Sequence, residues 1–530
     1  MFIKFLVSTL PLLLYLFLKS KKTFHVLQQN WYNLGNRYLT WISKNPKKVF
    51  WNFDLCFLFF FLFYFINPLL AMASFIVFYT VNSILFLNNK KKEVTKKPLA
   101  LTSRVKRLYV TEYILYLIPI ILFAVTFEQS LLPAYYLFLG FIVYMNSIVV
   151  FLANAINMPI EAMIKKSFVI KAKKKLKNMP NLKVIGITGS YGKTSSKNIL
   201  SDILNIKYNA LPTPKNFNTP VGLTITINNH LDKFTDLFIA EMGAFKRGEI
   251  KELCDYVHPT YGILTKIGTA HLESFGSQEN IQKGKFELIE SLPEDGIGIL
   301  NGDDPLQRSY KLKNNCTIKW VGIDSEDVDV RASNLKITES GTTFDVVFKG
   351  NKTVYPFQTK LFGKANVYNI LAALALGSSL GMEIEQLQAG VKRVNSIEHR
   401  LELRKYYKIN LIDDAYNSNP VGAKMALDVL AMMPGKKIIV TPGMIELGTE
   451  QEHLNTVFGE QIADVCDEVI LIGEEQTRAI AEGLKKKNYP EKQIHILNDV
   501  MKAFPLVQSL DEGSTYLLLE NDLPDIFNEK

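Results

Sequence analysis

Long unbroken apolar runs fill the beginning of the chain and give way, after Asn181, to short apolar bursts separated by polar stretches of helical length. The long runs cover residues 2–18, 50–66, 69–87, 109–127 and 132–156, each near the ~20 residues that cross a bilayer as a helix. They predict a transmembrane region of about five helices over residues 1–160. The first run could instead be a signal peptide, but no small-residue cleavage site precedes Lys19. The short bursts alternate with helical patterns, the mark of an α/β fold with a mainly parallel sheet. Strands are expected at 184–188, 237–242, 262–266 and 297–300, with an antiparallel hairpin insert around Gly341 and Gly350-Asn351. A second, Rossmann-like α/β unit follows Arg400, with strands near 438–441, 469–472 and 516–519 but no G-x-G-x-x-G fingerprint.

Charge adds a direction to this picture. The net charge of +10 is gathered beside the apolar runs, which assigns it to membrane orientation and anionic lipid rather than to nucleic acid. Basic residues crowd 19–48 and 90–107, whereas Asn67-Pro68 and Glu128-Gln129-Ser130 have none. By the positive-inside rule the chain is a multi-pass protein of the inner (cytoplasmic) membrane, with everything after Ile156 cytoplasmic. Asp54 and Glu112 interrupt apolar runs, where a charge is either functional or, near a helix end, snorkels to the interface. The snorkelling reading is preferred, and no pair of buried charges is expected among the helices. Residues 161–180 form a basic juxtamembrane linker, either a helix lying on anionic headgroups or a solvated tether. The four cysteines are scattered without a C-x-x-C pair, against a zinc ribbon or a disulfide framework.

Chemistry concentrates where the first soluble strand breaks into Gly189-Ser190-Tyr191-Gly192-Lys193-Thr194-Ser195. Strand, glycine-rich turn, lysine and hydroxyl in that order make a phosphate loop: backbone N–H groups and the helix start supply positive potential, Lys193 a point charge and Thr194 a magnesium ligand. The position six before the lysine is Ile187 rather than glycine, so the loop is shorter than the general pattern. Glu241 ends one expected strand and His271 follows another, where a carboxylate and an imidazole can join Thr194 around magnesium. A helix-start acid and a hydrogen-bonded loop histidine are the plainer readings of those two.

This loop, with Glu241-Met242-Gly243, Ala270-His271-Leu272-Glu273, Asn301-Gly302-Asp303-Asp304-Pro305 and His399-Arg400-Leu401-Glu402, resembles the Mur ligase family of ATP-dependent amide ligases of the bacterial cell wall. Asn216-Phe217-Asn218-Thr219-Pro220-Val221-Gly222, Gly248-Glu249-Ile250 and Asp413-Asp414-Ala415-Tyr416-Asn417-Ser418-Asn419-Pro420, supported by Gly443-Met444-Ile445-Glu446-Leu447-Gly448, look most like members that add D-alanyl-D-alanine to the muramoyl tripeptide.

The resemblance implies a central ATP-binding domain over 181–397 and a C-terminal domain over 398–530. It implies ATP and two magnesium ions: Lys193 on the β- and γ-phosphates, Thr194 and Glu241 on one ion, and His271 with a carbamylated Lys285 on the other. Taken alone, Lys285 reads as a surface helix lysine. Asn301 would face the adenine, and Arg400 and Asp414 would close over the nucleotide. The implied partners are a muramoyl-peptide precursor, D-alanyl-D-alanine, the lipid bilayer and other cell-wall enzymes. Membrane helices stand where the family's uridine-diphosphate-gripping domain is expected, and Ala365 occupies a position often held by histidine. A related ligase of another wall polymer, and an ATP-switched transporter or scaffold, are the competing readings.

Overall fold

The computed structural model describes residues 2–59, 63, 65–90, 98–126, 128–338, 341–396, 399–415, 418–445 and 447–522. The chain divides into two compact units, Met1–Ser167 and Phe168–Lys530.

The described residues include four helices long and apolar enough to cross a membrane: Ile3–Gln29, Pro68–Asn88, Ser103–Val125 and Asn146–Lys177. The expectation of about five includes the run at 50–66, part of which lies outside the described residues. The run at 50–66 is a 3₁₀ stretch at Asn52–Phe59, and residues 60–62 and 64 lie outside the described residues, as does the basic stretch 91–97. The run at 132–156 breaks at Met145 into Leu132–Tyr144 and Asn146–Lys177. The break has a visible partner, for the Val143 carbonyl accepts from Lys19 Nζ at 2.8 Å.

Asp54 and Glu112 do not snorkel. Asp54 is buried, accepting from Lys19 Nζ and Tyr15 Oη, each at 2.6 Å. Glu112 is fully buried and accepts from Ser20 Oγ and Asn146 Nδ2, both at 2.7 Å. An unpaired charge in an apolar interior is costly, so each carboxylate is held by donors from other helices. The expectation of no buried charge pair is therefore overturned by Lys19–Asp54, and it no longer counts against transport.

The second unit carries two sheets. In the first, β1 (Lys183–Thr188), β2 (Ala210–Pro212), β3 (Leu237–Glu241), β4 (Tyr261–Leu264), β5 (Ile297–Asn301), β6 (Thr317–Gly322), β7 (Val330–Thr338), β8 (Gly341–Phe348) and β9 (Tyr355–Thr359) lie in the order β2-β3-β1-β4-β5-β6-β7-β8-β9. Pairing is parallel from β2 to β7 and antiparallel from β7 to β9. The expected hairpin insert is thus a three-strand continuation of the main sheet, because β7 also pairs with β6.

β1 is buried on both faces, as a central parallel strand must be. Ile185 and Ile187 pack with the helices Lys193–Leu204 and Lys364–Ser379, while Val184 packs with Glu249–Val257 and Gln278–Glu290. Successive strands leave β1 to opposite sides, so the crevice beyond its C-terminal end is a topological switch point, the usual ligand position in such sheets.

The second sheet orders β10 (Glu402–Tyr406), β11 (Ile409–Asp414), β12 (Lys436–Thr441), β13 (Glu468–Ile472), β14 (Ile494–Leu497) and β15 (Thr515–Glu520) as β10-β11-β15-β12-β13-β14.

The basic segment expected on headgroups or in solvent does something else from Phe168 onward. Ala172 is fully buried in the core between the sheet and its helices, with Val169 and Leu176 packed beside it. Lys175 Nζ donates to the Asn228 carbonyl at 3.2 Å, and Asn228 Nδ2 to the Phe168 carbonyl at 3.0 Å.

Candidate nucleotide site

The loop leaving β1 is shaped by contacts that tolerate no side chain. At Gly189, with φ +153°, a Cβ would sit 1.9 Å from Thr265 Oγ1. Ser190 N donates to the Lys266 carbonyl at 2.9 Å, and the Tyr191 carbonyl accepts from Thr265 Oγ1 at 2.7 Å. The edge of the Tyr191 ring abuts Gly268, where a Cβ would come within 2.2 Å of Cε2. Gly192, at φ +80°, turns the chain into the helix Lys193–Leu204. The N–H groups of that first turn lack intrahelical acceptors, which makes the helix start a phosphate cradle.

Behind the loop the polar side chains converge on one carboxylate. Thr194 Oγ1 donates to Glu241 Oε1 and Oε2 at 3.2 and 3.1 Å, Asn218 Nδ2 to Oε1 at 3.2 Å, and Lys197 Nζ lies 3.1 Å from Oε2. Lys193 Nζ donates to the carbonyls of Gly189 and Ser190 at 2.9 and 3.2 Å. Burial pushes the Lys193 ammonium below the ordinary lysine value; Glu241 pulls it back and Arg400 pushes it further down.

Lys285 is 2% exposed, which overturns its plain reading as a surface lysine. Its ammonium stands 5.3 Å over the Phe275 ring and 3.4 Å from the Ala244 carbonyl. Burial, then the charge of Lys193, brings it down to about 7 against the pull of Glu249 and Glu287. His271, in a left-handed turn at φ 62°, sets its ring against Phe245 at 4.5 Å. Partial desolvation, then Lys193 and Lys285, lower it and favour neutral imidazole.

On the opposite side of the loop a cleft of about 150 Å³ is lined by Tyr191, Gly192, Ser195, Asn301, Arg400 and Asp414, with Ala365 among its other walls. Asn301 Oδ1 accepts from Asp303 N at 2.9 Å, which leaves its Nδ2 for the cleft. Asp303 ties the cleft floor together. It accepts from Ile323, Asp324 and Ser325 amides at 2.6, 3.0 and 2.7 Å and from Tyr368 Oη at 2.8 Å. Burial would raise its carboxyl, but these donors hold it at about 2. Asp414 is brought up to about 6 by burial, against Arg400 and the Leu401 N–H, which donates at 3.2 Å. Its buried neighbour Glu520 accepts from Ser418 Oγ at 2.5 Å.

The expected residues thus fall into two groups: Lys193, Thr194, Glu241, His271 and Lys285 behind the loop, and Asn301, Arg400 and Asp414 in the cleft. The sequence reading missed Lys197, Asp303, Tyr368 and Glu520 as participants. Lys197 follows Lys193 by one helical turn, the spacing that could have marked it. Of the motif residues, Tyr416, Asn417, Glu446 and the side chain of Glu273 lie outside the described residues.

The donor set fits a magnesium nucleotide. Magnesium takes one or two carboxylates and completes its shell with phosphate and water oxygens. Glu241 supplies one such carboxylate and Thr194 a hydroxyl oxygen beside the phosphate cradle, and among the described residues no three His, Cys, Asp or Glu side chains form a closed metal cage.

Residues 187–377 match the Mur ligase middle domain, and 399–519 match the domain described as "Mur ligase, glutamate ligase domain". The UDP-N-acetylmuramoyl-tripeptide--D-alanyl-D-alanine ligase of Bacillus subtilis is 34% identical over 318 residues, 59% of this chain and 67% of the relative. The Escherichia coli enzyme of the same name is 32% identical over 313 residues, 56% of this chain and 66% of the relative. In each, about a third of the relative's length finds no counterpart here. The structure of MurF ligase from Thermotoga maritima in complex with ADP superposes with a TM-score of 0.59 at 27% identity, covering 67% of this chain and 80% of that one. A MurF structure from Acinetobacter baumannii gives 0.61 at 25% identity, covering 68% and 78%.

Proposed function

Because the chain belongs to the Mur ligase family, we propose that it is an ATP-dependent, ADP-forming ligase of peptidoglycan synthesis that joins D-alanyl-D-alanine to a muramoyl tripeptide. The observation that carries this reading is the junction of Thr194 and Glu241 behind the compact phosphate loop, within a stretch matched to tripeptide ligases.

A carboxylate acylates poorly, so the reaction moves the ATP γ-phosphate onto the tripeptide carboxylate, releasing ADP. The amine of D-alanyl-D-alanine then attacks the acyl carbon and phosphate leaves. Both steps gather negative charge and need neutralisation more than covalent help. Lys193 leaves its own loop carbonyls to hold the β- and γ-phosphates. Magnesium at Thr194 and Glu241, with a second ion at His271 and Lys285, would neutralise the transferring oxygens. A lysine near 7 is largely neutral at physiological pH, so Lys285 can add carbon dioxide through its nitrogen, lose a proton and become a carbamate anion. Burial opposes any charge there, so it is the positive charge of Lys193 that would favour the negative form. Neutral His271 keeps a ring nitrogen available as a ligand. Asn301 meets the base, while Arg400 and Asp414 close the cleft and exclude water.

The four apolar helices would hold the ligase domains on the cytoplasmic side of the bacterial inner membrane, where ATP and wall precursors are found. Residues before 187 lie outside both family domains, which favours a second possibility for the acceptor: a lipid-linked muramoyl peptide instead of the soluble uridine-diphosphate-linked one.

The test supplies membranes containing the protein with ATP, D-alanyl-D-alanine and either acceptor, and follows phosphate and pentapeptide. Pentapeptide from one of the two supports the reading and identifies the acceptor. Phosphate release without any need for amine or acceptor would turn the reading toward an ATP-driven transporter or scaffold.

A further inference from the structure

Asp414 lines the nucleotide cleft, and behind it stands a carboxyl that does not, that of Glu520. The two residues are direct register partners on the neighbouring parallel strands β11 and β15, so their side chains leave the sheet on the same face. Glu520 is 1% exposed and Asp414 9%. Their carboxyl groups lie within hydrogen-bond reach of each other, where two negative charges out of water do not persist together. The pair therefore carries a proton.

The surroundings decide which partner keeps it. Asp414 accepts from the Leu401 N–H at 3.2 Å and shares the cleft wall with Arg400. Glu520 accepts from Ser418 Oγ on Oε1, and among the described residues nothing donates to Oε2. A carboxylate wants donors on both oxygens, whereas a carboxylic acid offers an O–H and wants an acceptor. Burial, then the charge of Asp414, push the Glu520 carboxyl well above the ordinary glutamate value. The frame around the pair is tied down by Asn521, in a left-handed turn at φ 73°. Its backbone N–H donates to the Asp414 carbonyl at 3.3 Å, its Nδ2 to the Gly443 carbonyl at 2.6 Å, and its Oδ1 accepts from Ser418 N at 3.2 Å.

We propose that Glu520 is held as a carboxylic acid whose O–H donates to the Asp414 carboxylate, fixing Asp414 beside Arg400 in the cleft. Glu520 is thus a positioning residue for ATP that acts through Asp414 without touching the nucleotide. The inference rests on the reading of this cleft as the nucleotide site.

Two substitutions separate a donor from a negative charge. Glutamine at 520 keeps an N–H for Asp414 and a carbonyl for Ser418, and leucine keeps neither. With the full-length protein in detergent, Glu520→Gln should leave the KM for ATP close to that of wild type. Glu520→Leu should raise it by about tenfold or more with kcat little changed, as expected for a lost hydrogen bond to a charged group. The infrared C=O stretch of protonated carboxyl groups, recorded at pH 7.5 without nucleotide, should be weaker by one group in Glu520→Gln than in wild type. Thermal melts check folding, and the infrared comparison and the glutamine variant decide the matter even where the leucine variant does not fold. Glu520→Gln as impaired as Glu520→Leu, an unchanged KM in a folded Glu520→Leu, or identical infrared spectra for wild type and Glu520→Gln would overturn the proposal. A wild-type protein that shows the band yet binds no ATP would remove the nucleotide reading of the cleft, and with it the purpose assigned to Glu520.

Discussion

Thr194 and Glu241 meet across the loop, the hydroxyl donating to both carboxylate oxygens at 3.2 and 3.1 Å. Lys197 closes on the same carboxylate at 3.1 Å, both side chains being 1% exposed. Glu241 balances a buried ammonium, and on the proposed function it would also hold a metal. Glu241→Gln should cut phosphate release on the order of a hundredfold and raise the magnesium requirement. It should also cost about 1–3 kcal/mol of stability by stranding Lys197. Titrating activity against magnesium, with a thermal melt, separates the two; an unchanged magnesium dependence would remove Glu241 from the metal site.

Lys285 makes stability depend on pH. Its value is lowered to about 7, so between there and the ordinary lysine value the unfolded chain binds a proton that the folded chain does not. Stability should therefore rise with pH across that window, by at most about 1.4 kcal/mol per pH unit from this group. Lys285→Met should flatten the slope in urea melts taken from pH 7 to 9. In ¹³C-bicarbonate the wild-type protein should show a carbamate resonance that the variant lacks.

Asp414 has the opposite sign. Its carboxyl is raised to about 6, so the folded state holds more protons than the unfolded state between about pH 4 and 6. Stability falls as pH rises through that interval. Asp414→Asn should remove the fall and melt higher than wild type at pH 7.5, yet raise the KM for ATP. A lower melting temperature together with an unchanged KM would contradict both roles.

Gly189→Ala places a Cβ against Thr265 Oγ1 at a φ of +153°. Backbone strain of roughly 1–3 kcal/mol is expected, with the loop displaced from Lys266. ATP binding, measured by calorimetry, should weaken by at least about tenfold, the equivalent of 1.4 kcal/mol. Wild-type affinity would show that the loop does not hold the nucleotide.

The Lys19–Asp54 pair calls for a double-mutant cycle. Asp54→Leu or Lys19→Met alone leaves one buried charge uncompensated, a loss of about 3–5 kcal/mol. The double substitution should recover most of it, read as thermal stability in detergent. Additive losses would mean that the two side chains do not act as a pair.

Central strands such as β1 and β3 were legible because a strand buried on both faces is apolar along its middle, as Val184–Ile187 and Leu237–Ala240 are. The site loop was legible because glycine, lysine and hydroxyl at fixed spacing have few other uses. Lys285 and Asp54 were not. Whether a charged side chain on an amphipathic or apolar stretch faces solvent depends on partners far along the chain. Those partners are the Ala244 carbonyl for one, and Tyr15 and Lys19 for the other. The break at Met145 was hidden for the same reason, since the partner of Val143 is Lys19.

Ala172 has a practical meaning for anyone wishing to handle the catalytic half by itself. With no exposure, and with Val169 and Leu176 beside it, it plugs a socket in the core that also contains Tyr256 and Leu223. A polypeptide started at Asn181, the start expected for the ATP-binding domain, would leave that socket open. The shortest well-behaved soluble fragment should begin no later than Phe168, carrying the lysine-rich stretch as its first structural element.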